Sequence, residues 1–135
     1  MSFKLIVVIL AAIVVAAVGG WFAGASGRAV AEREQTRSEM RAEFAEARAL
    51  AFDGRLNLFQ SNFGTAIERF QQSRNLIGRI QVRLREMGQV EQAGKLEIAL
   101  SHLSDAQRAS ASLDTTAAQT AADQAAQALA AASGK

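Results

Sequence analysis

The sequence predicts an all-α membrane protein, in which a single N-terminal transmembrane helix is followed by an antiparallel helical hairpin bundle of three to four helices. Three observations predict it. The 135 residues contain no proline, so nothing in the chain forces a helix to break. Leu5 to Ala25 carries no charged residue. Beyond that run, apolar residues recur at spacings of three and four, the period of a helix that buries one face.

The apolar run comes first. Its core, LIVVILAAIVVAAV, is continuous in large aliphatic groups and alanine. About 21 residues at roughly 1.5 Å each span about 30 Å, the thickness of a bilayer's hydrocarbon core. Lipid offers the backbone no hydrogen-bond partner, so such a segment has to be helical. Lys4 can snorkel at one end, and the rings of Trp21 and Phe22 suit the headgroup level at the other. Gly20 and Gly24 have the small-residue spacing that lets a second transmembrane helix approach, although lipid-facing small residues have the same spacing. A cleaved secretory signal is the rival reading, with Ala23-Gly24-Ala25 as the small-residue site. The apolar run is long for that, and two bulky aromatic residues stand just before the site. The expectation is an anchor over residues 1–27 that stays on the chain.

Orientation follows from the flanking arginines. Arg28, Arg33, Arg37 and Arg41 follow the span, against Lys4 before it, and the positive-inside rule counts such residues. This puts the helical domain, residues 28–135, on the cytoplasmic side of a bacterial inner membrane. A short leader with one lysine is also the pattern of a bacterial signal anchor, with its domain outside. At the membrane surface Arg28, Arg33, Arg37 and Arg41 meet either anionic headgroups or solvent.

Beyond Ser26-Gly27, which reads as a brief relaxation after the span, helices are expected at about 29–60, 64–87, 89–113 and 115–131. In the first of these, Met40, Phe44, Ala47, Ala51, Gly54 and Leu58 form a seam for one partner helix. Ser61-Asn62-Phe63-Gly64 combines a capping residue with glycine and reads as a turn that folds the next helix back. The second helix shows Phe63, Ile67, Phe70, Ile77, Ile80, Leu84 and Met87 on one stripe and closes at Met87-Gly88-Gln89. The third turns Ala93, Leu96, Leu100, Leu103 and Gln107 inward. Asp114-Thr115 can cap the fourth, which has little but alanine and Leu129 to bury and so is expected to be the least stable element.

Gly54, Phe63, Ala66, Phe70 and Ser73 stand at the spacings of the glycine, aromatic, alanine, aromatic and small residue of a tetratricopeptide repeat. The stretch of about residues 50–85 resembles one such helical hairpin. A fainter echo of its turn, Ser61 to Ala66, follows at Gly88 to Ala93; Gly78 stands where that family carries its closing proline. The resemblance implies a protein-binding scaffold, and it carries over no catalytic residue because the family has none.

No catalytic or metal-binding set stands out. With no cysteine and a single histidine, the chain lacks the usual zinc ligands, and His102 with Asp105 three residues on is a common helix-surface pair. No serine sits in a nucleophile elbow, no glycine cluster forms a phosphate loop, and no carboxylate lies in an apolar run that would raise its pKa. The sequence therefore predicts no enzyme, no cofactor and no metal.

The formal charge is only +2, but it is unevenly placed. Arg69, Arg74, Arg79, Arg83 and Arg85 stand against Glu68 alone between Thr65 and Arg85, while the chain from Glu86 on is acidic. These five arginines are candidates for contact with an acidic partner or with lipid headgroups; the plainer alternatives are solvent, or pairing with Glu91 and Glu97 on the neighbouring helix. They do not share one face and no aromatic platform is interleaved, so nucleic acid is not an expected partner. The expected partners are the lipid bilayer and other membrane protein subunits, or further copies of the chain. Two functions follow. One is a membrane-tethered helical scaffold or interaction module that docks on a larger membrane assembly. The other is a structural accessory subunit of a respiratory or photosynthetic complex, held through its transmembrane helix.

Overall fold

In the computed structural model, the backbone is described for residues 3–133 and the side chains for residues 30–133. Among the described residues the chain forms four helices and no strand: α1 (Phe3–Phe59), α2 (Phe63–Glu86), α3 (Val90–Ala111) and α4 (Thr115–Ala132). The protein is all-α. The starts and ends of α2, α3 and α4 fall within about two residues of the sequence expectation. The first helix differs, because α1 runs through Ser26-Gly27 without the expected relaxation. Neither residue is a strong enough breaker to end a helix where no proline follows. The expected transmembrane span lies outside the residues whose side chains are described, and with it Lys4, Gly20, Trp21, Phe22, Gly24 and Arg28. Within residues 30–133, whose side chains are described, no helix is long and apolar enough to cross a membrane.

Two compact units divide the chain, Met1–Glu39 and Met40–Lys135. In the first, the described side chains from Val30 to Glu39 are exposed apart from half-buried Thr36. They bond locally: Thr36 Oγ1 donates to the Glu32 carbonyl at 2.9 Å and Gln35 Nε2 to Glu39 Oε1 at 3.0 Å. The second unit begins at Met40, the residue at which the apolar seam begins.

That unit is built by three turns of one kind. After α1, α2 and α3 the chain takes one residue with positive φ, namely Ser61 (57°), Gly88 (75°) and Leu113 (61°). The next amide then reaches back to a carbonyl of the ending helix: Asn62 N–H to Asn57 at 2.8 Å, Gln89 N–H to Leu84 at 2.8 Å, and Asp114 N–H to Ala109 at 2.9 Å. This is the Schellman closure, which satisfies carbonyls left over at a helix end. Two of the residues that make this bond also cap the following helix. Asn62 Oδ1 accepts the Thr65 N–H at 3.3 Å, and Asp114 Oδ1 accepts the Ala117 N–H at 2.9 Å. Gln89, at the start of α3, makes no such side-chain bond.

The turns stack the helices into an antiparallel bundle. Asp53, Ala47 and Glu43 of α1 meet Arg69, Ser73 and Arg83 of α2, so the two chains run in opposite directions. α3 packs on both α2 and α4, and α4 returns to α1 where Asp123 meets Arg55. Phe70, Leu58, Ile77, Ile80, Leu96, Leu103 and Leu129 fill the interior, with alanines closing the gaps between helices. The expected seam of α1 is inward: Ala47, Ala51, Gly54 and Leu58 are buried, and Met40 and Phe44 pack against the core. Met87 is a correction. It is the C-cap of α2 with its side chain exposed, because the helix ends at Glu86 and the inward stripe stops at Leu84. Gln107 is half-buried and bonds across the helix surface rather than filling the interior.

Candidate interaction surfaces

The basic segment of α2 is stitched into the bundle. Arg69 Nε lies 2.8 Å from Asp53 Oδ2, Arg83 Nη1 3.1 Å from Glu43 Oε2, and Arg85 Nη2 3.6 Å from Glu97 Oε2, while Arg74 Nη1 donates to Gln107 Oε1 at 2.7 Å. Gln107 passes the chain on, its Nε2 donating to Gln71 Oε1 at 2.9 Å. The Arg69–Asp53 and Arg55–Asp123 contacts are close in distance, but neither Nε–H is aimed at an oxygen, so they are ion pairs rather than directed hydrogen bonds. Partly exposed pairs of this sort contribute about 0.2–1 kcal/mol each. They set helix register more than stability.

Of the five arginines, Arg79 alone has neither an ion pair nor a side-chain hydrogen bond among the described residues. It stands exposed on the outer face of α2, where Arg74, Gly78, Val82 and Arg83 line an open trough of about 510 Å³. Arg33, Arg37 and Arg41 are exposed on α1. Glu91 does not take an arginine; it pairs with Lys95 one turn along α3 at 3.0 Å. His102 is half-buried, and the carboxylate of Asp105 goes to Arg108 at 3.1 Å. Among the described residues no three histidine, aspartate or glutamate side chains gather where a metal ion would sit.

A second surface escaped the sequence reading. On the side of α1 away from the core, Ala42, Ala45, Ala49, Phe52, Leu56 and Phe59 are all exposed, the three large ones by 57%, 43% and 61%. Arg55 lies over the Phe59 ring, 5.8 Å from its centroid. A guanidinium there covers part of one aromatic face and leaves the rest of the stripe bare. The signal was in the sequence. Spacings of three and four recur there too, one or two residues out of step with the inner seam, and alanine at half the positions makes the pattern quiet.

The residues of the hairpin resemblance converge at the α1–α2 contact. Ala66, Phe70 and Ser73 are fully buried, Phe63 is half-buried, and Gly54 sits against the Phe70 ring. Ser73 Oγ donates to the Ala47 carbonyl at 2.8 Å, which satisfies a buried hydroxyl that would otherwise cost stability. No protein-family model, curated protein or solved structure matches the chain.

Proposed function

We propose that the chain is a membrane-tethered helical scaffold, anchored in a bacterial inner membrane through Leu5 to Ala25, whose bundle docks on a larger membrane assembly from the cytoplasmic side. The observation that carries this reading is the outer face of α1. Phe52, Leu56 and Phe59 stand exposed on a helix whose opposite side is already packed against α2 and α4. Exposed large apolar groups aligned on one rigid element mark a binding surface more often than scattered ones do. The uncharged N-terminal run supports the tether, and the short turns support a scaffold that holds this face in one shape.

The test is to purify the full chain from membranes in mild detergent, beside a Leu56→Glu variant. The reading expects the chain in alkaline-washed membranes, with other membrane proteins accompanying it and lost from the variant. A chain released by alkaline washing overturns the tether. A retained chain that brings no other protein with it overturns the larger assembly.

A further inference from the structure

The exposed face of α1 is a heptad seam with a built-in charge code. Ala42, Ala45, Ala49, Phe52, Leu56 and Phe59 follow at steps of three, four, three, four and three, which makes Ala42, Ala49 and Leu56 the a positions and Ala45, Phe52 and Phe59 the d positions of three successive heptads. The positions that flank this seam are sorted by sign. On the g side stand Arg41, Arg48 and Arg55, seven residues apart; on the e side stand Glu46, Asp53 and Gln60.

That sorting selects an occupant. In a parallel pair of helices, each g position faces the e position five residues later in the partner. Two copies of this helix laid parallel would bring Arg41 to the partner's Glu46, and Arg48 to the partner's Asp53, on both sides of the seam. Laid antiparallel, the same seam would set arginine against arginine and acid against acid. Arg41, Arg48 and Glu46 make no ion pair among the described residues, so their charges are available. Asp53 is nearly half exposed beside Arg69 and keeps room for a second cation.

We infer that two copies of this chain pair in parallel through the outer seam of α1, from Ala42 to Phe59. The inference deepens the reading of that face as a docking surface and rests on it: the first partner seated there is a second copy, and the larger assembly docks on the resulting pair, so Leu56→Glu loses both. Alanine in the first layers lets the helices approach closely, and Phe52, Leu56 and Phe59 supply the apolar area further along. The face points away from α2 and α4, so pairing displaces nothing already packed.

The chain has no cysteine, which makes the test direct. In the full-length chain in its membrane, Ala45→Cys and Phe52→Cys are oxidised under mild conditions beside Val82→Cys, an exposed position on the outside of α2. Same-residue disulfide dimers should form at positions 45 and 52 about a hundredfold faster than at 82, since a partnered thiol reacts at the high effective concentration of an interface. Adding Leu56→Glu to Ala45→Cys should abolish that excess. Arg41→Glu and Glu46→Arg, each combined with Ala45→Cys, should cross-link poorly alone and recover when the two chains are mixed, because both salt-bridge positions are then restored. Equal rates at 45 and 82, or cross-linking that survives Leu56→Glu, overturns the pairing. Failure of the mixed chains to recover overturns the parallel register. Alkaline washing of the same membranes reads the tether separately: cross-linked chain that washes off overturns the anchor and leaves the pairing standing, whereas retained chain without cross-links overturns the pairing alone.

Discussion

The Phe70 ring occupies the space that a side chain at Gly54 would need: a Cβ built there would stand 2.7 Å from Cε1 and 2.8 Å from Cδ1. Phe70 is fully buried and has nowhere to swing. A glycine inside a helix costs up to about 1 kcal/mol relative to alanine, and here that loss is offset by the close approach of α1 to α2. Gly54→Ala should therefore destabilise the bundle, since overpacking of about 1–3 kcal/mol outweighs the propensity gain and leaves a net loss on the order of 1 kcal/mol. Phe70→Leu should relieve the clash, so the double variant should lose less than the sum of the two singles. Chemical denaturation followed by helical circular dichroism reads this, and a Gly54→Ala variant as stable as the parent would show that the ring can yield.

Among the described residues Leu113 is the one large side chain at a left-handed position, with φ of 61° and two-thirds of its surface exposed. A non-glycine residue there costs roughly 1–2 kcal/mol, and replacing it with glycine returns up to about 1 kcal/mol to the unfolded chain as entropy. Leu113→Gly should raise stability by about 0.5–1 kcal/mol, seen as a higher denaturation midpoint at unchanged slope. A lower midpoint would mean that the exposed leucine makes a contact worth more than the strain.

The fold was legible where large residues kept a single period or a capping side chain stood ahead of a helix. Phe70, Ile77, Ile80 and Leu84 marked the inner stripe of α2, and Asn62 and Asp114 marked the turns ahead of α2 and α4. Three things were hidden. Of the six buried residues of α3 four are alanine or serine, so Ala99, Ala106 and Ser110, all fully buried, gave no hydrophobic signal of their own. On α1, two apolar stripes share one helix, and the inner one, with Met40, Phe44 and Leu58, masked the outer one that Phe52, Leu56 and Phe59 define. The arginines of α2 were visible as a cluster, and Glu97, which meets Arg85, was among the partners the sequence offered, but Asp53, Gln107 and Glu43 lie from sixteen to forty residues from theirs and no local spacing reveals them.

The fourth helix should open first. Of its six buried side chains, five are alanine and one is Leu129, so it has less apolar area to withdraw from water than α2. Asp114 accepts the Ala117 N–H and anchors its start. Asp114→Ala should cost about 0.5–2 kcal/mol. Leu129→Ala should cost about 2–5 kcal/mol by leaving a cavity among alanines that cannot move in to fill it. Amide hydrogen exchange should show α4 exchanging ahead of α2 in the parent and faster still in Asp114→Ala. Protection of α4 equal to that of α2 would refute this ordering.

The α2 arginines divide between two roles. Arg69 and Arg83 hold α2 against α1 through Asp53 and Glu43, whereas exposed Arg79 holds nothing among the described residues. The end of α2 also leaves Val82 and Met87 exposed, with Val90 following at the start of α3. Basic groups interleaved with apolar ones in this way suit an anionic lipid surface, where each arginine contributes on the order of 1 kcal/mol. If that use is correct, a polypeptide of residues 40–135 should bind vesicles containing anionic lipid more tightly than neutral ones at low ionic strength, and the difference should fade as salt rises and the Debye length falls to about 10 Å or less. Arg79→Gln should weaken that binding and leave the unfolding midpoint unchanged. Arg83→Gln should shift the midpoint as well, by about 0.2–1 kcal/mol, because it also frees Glu43. Equal binding of parent and Arg79→Gln, or no preference for anionic vesicles, would assign this end of the bundle to solvent or to a protein partner.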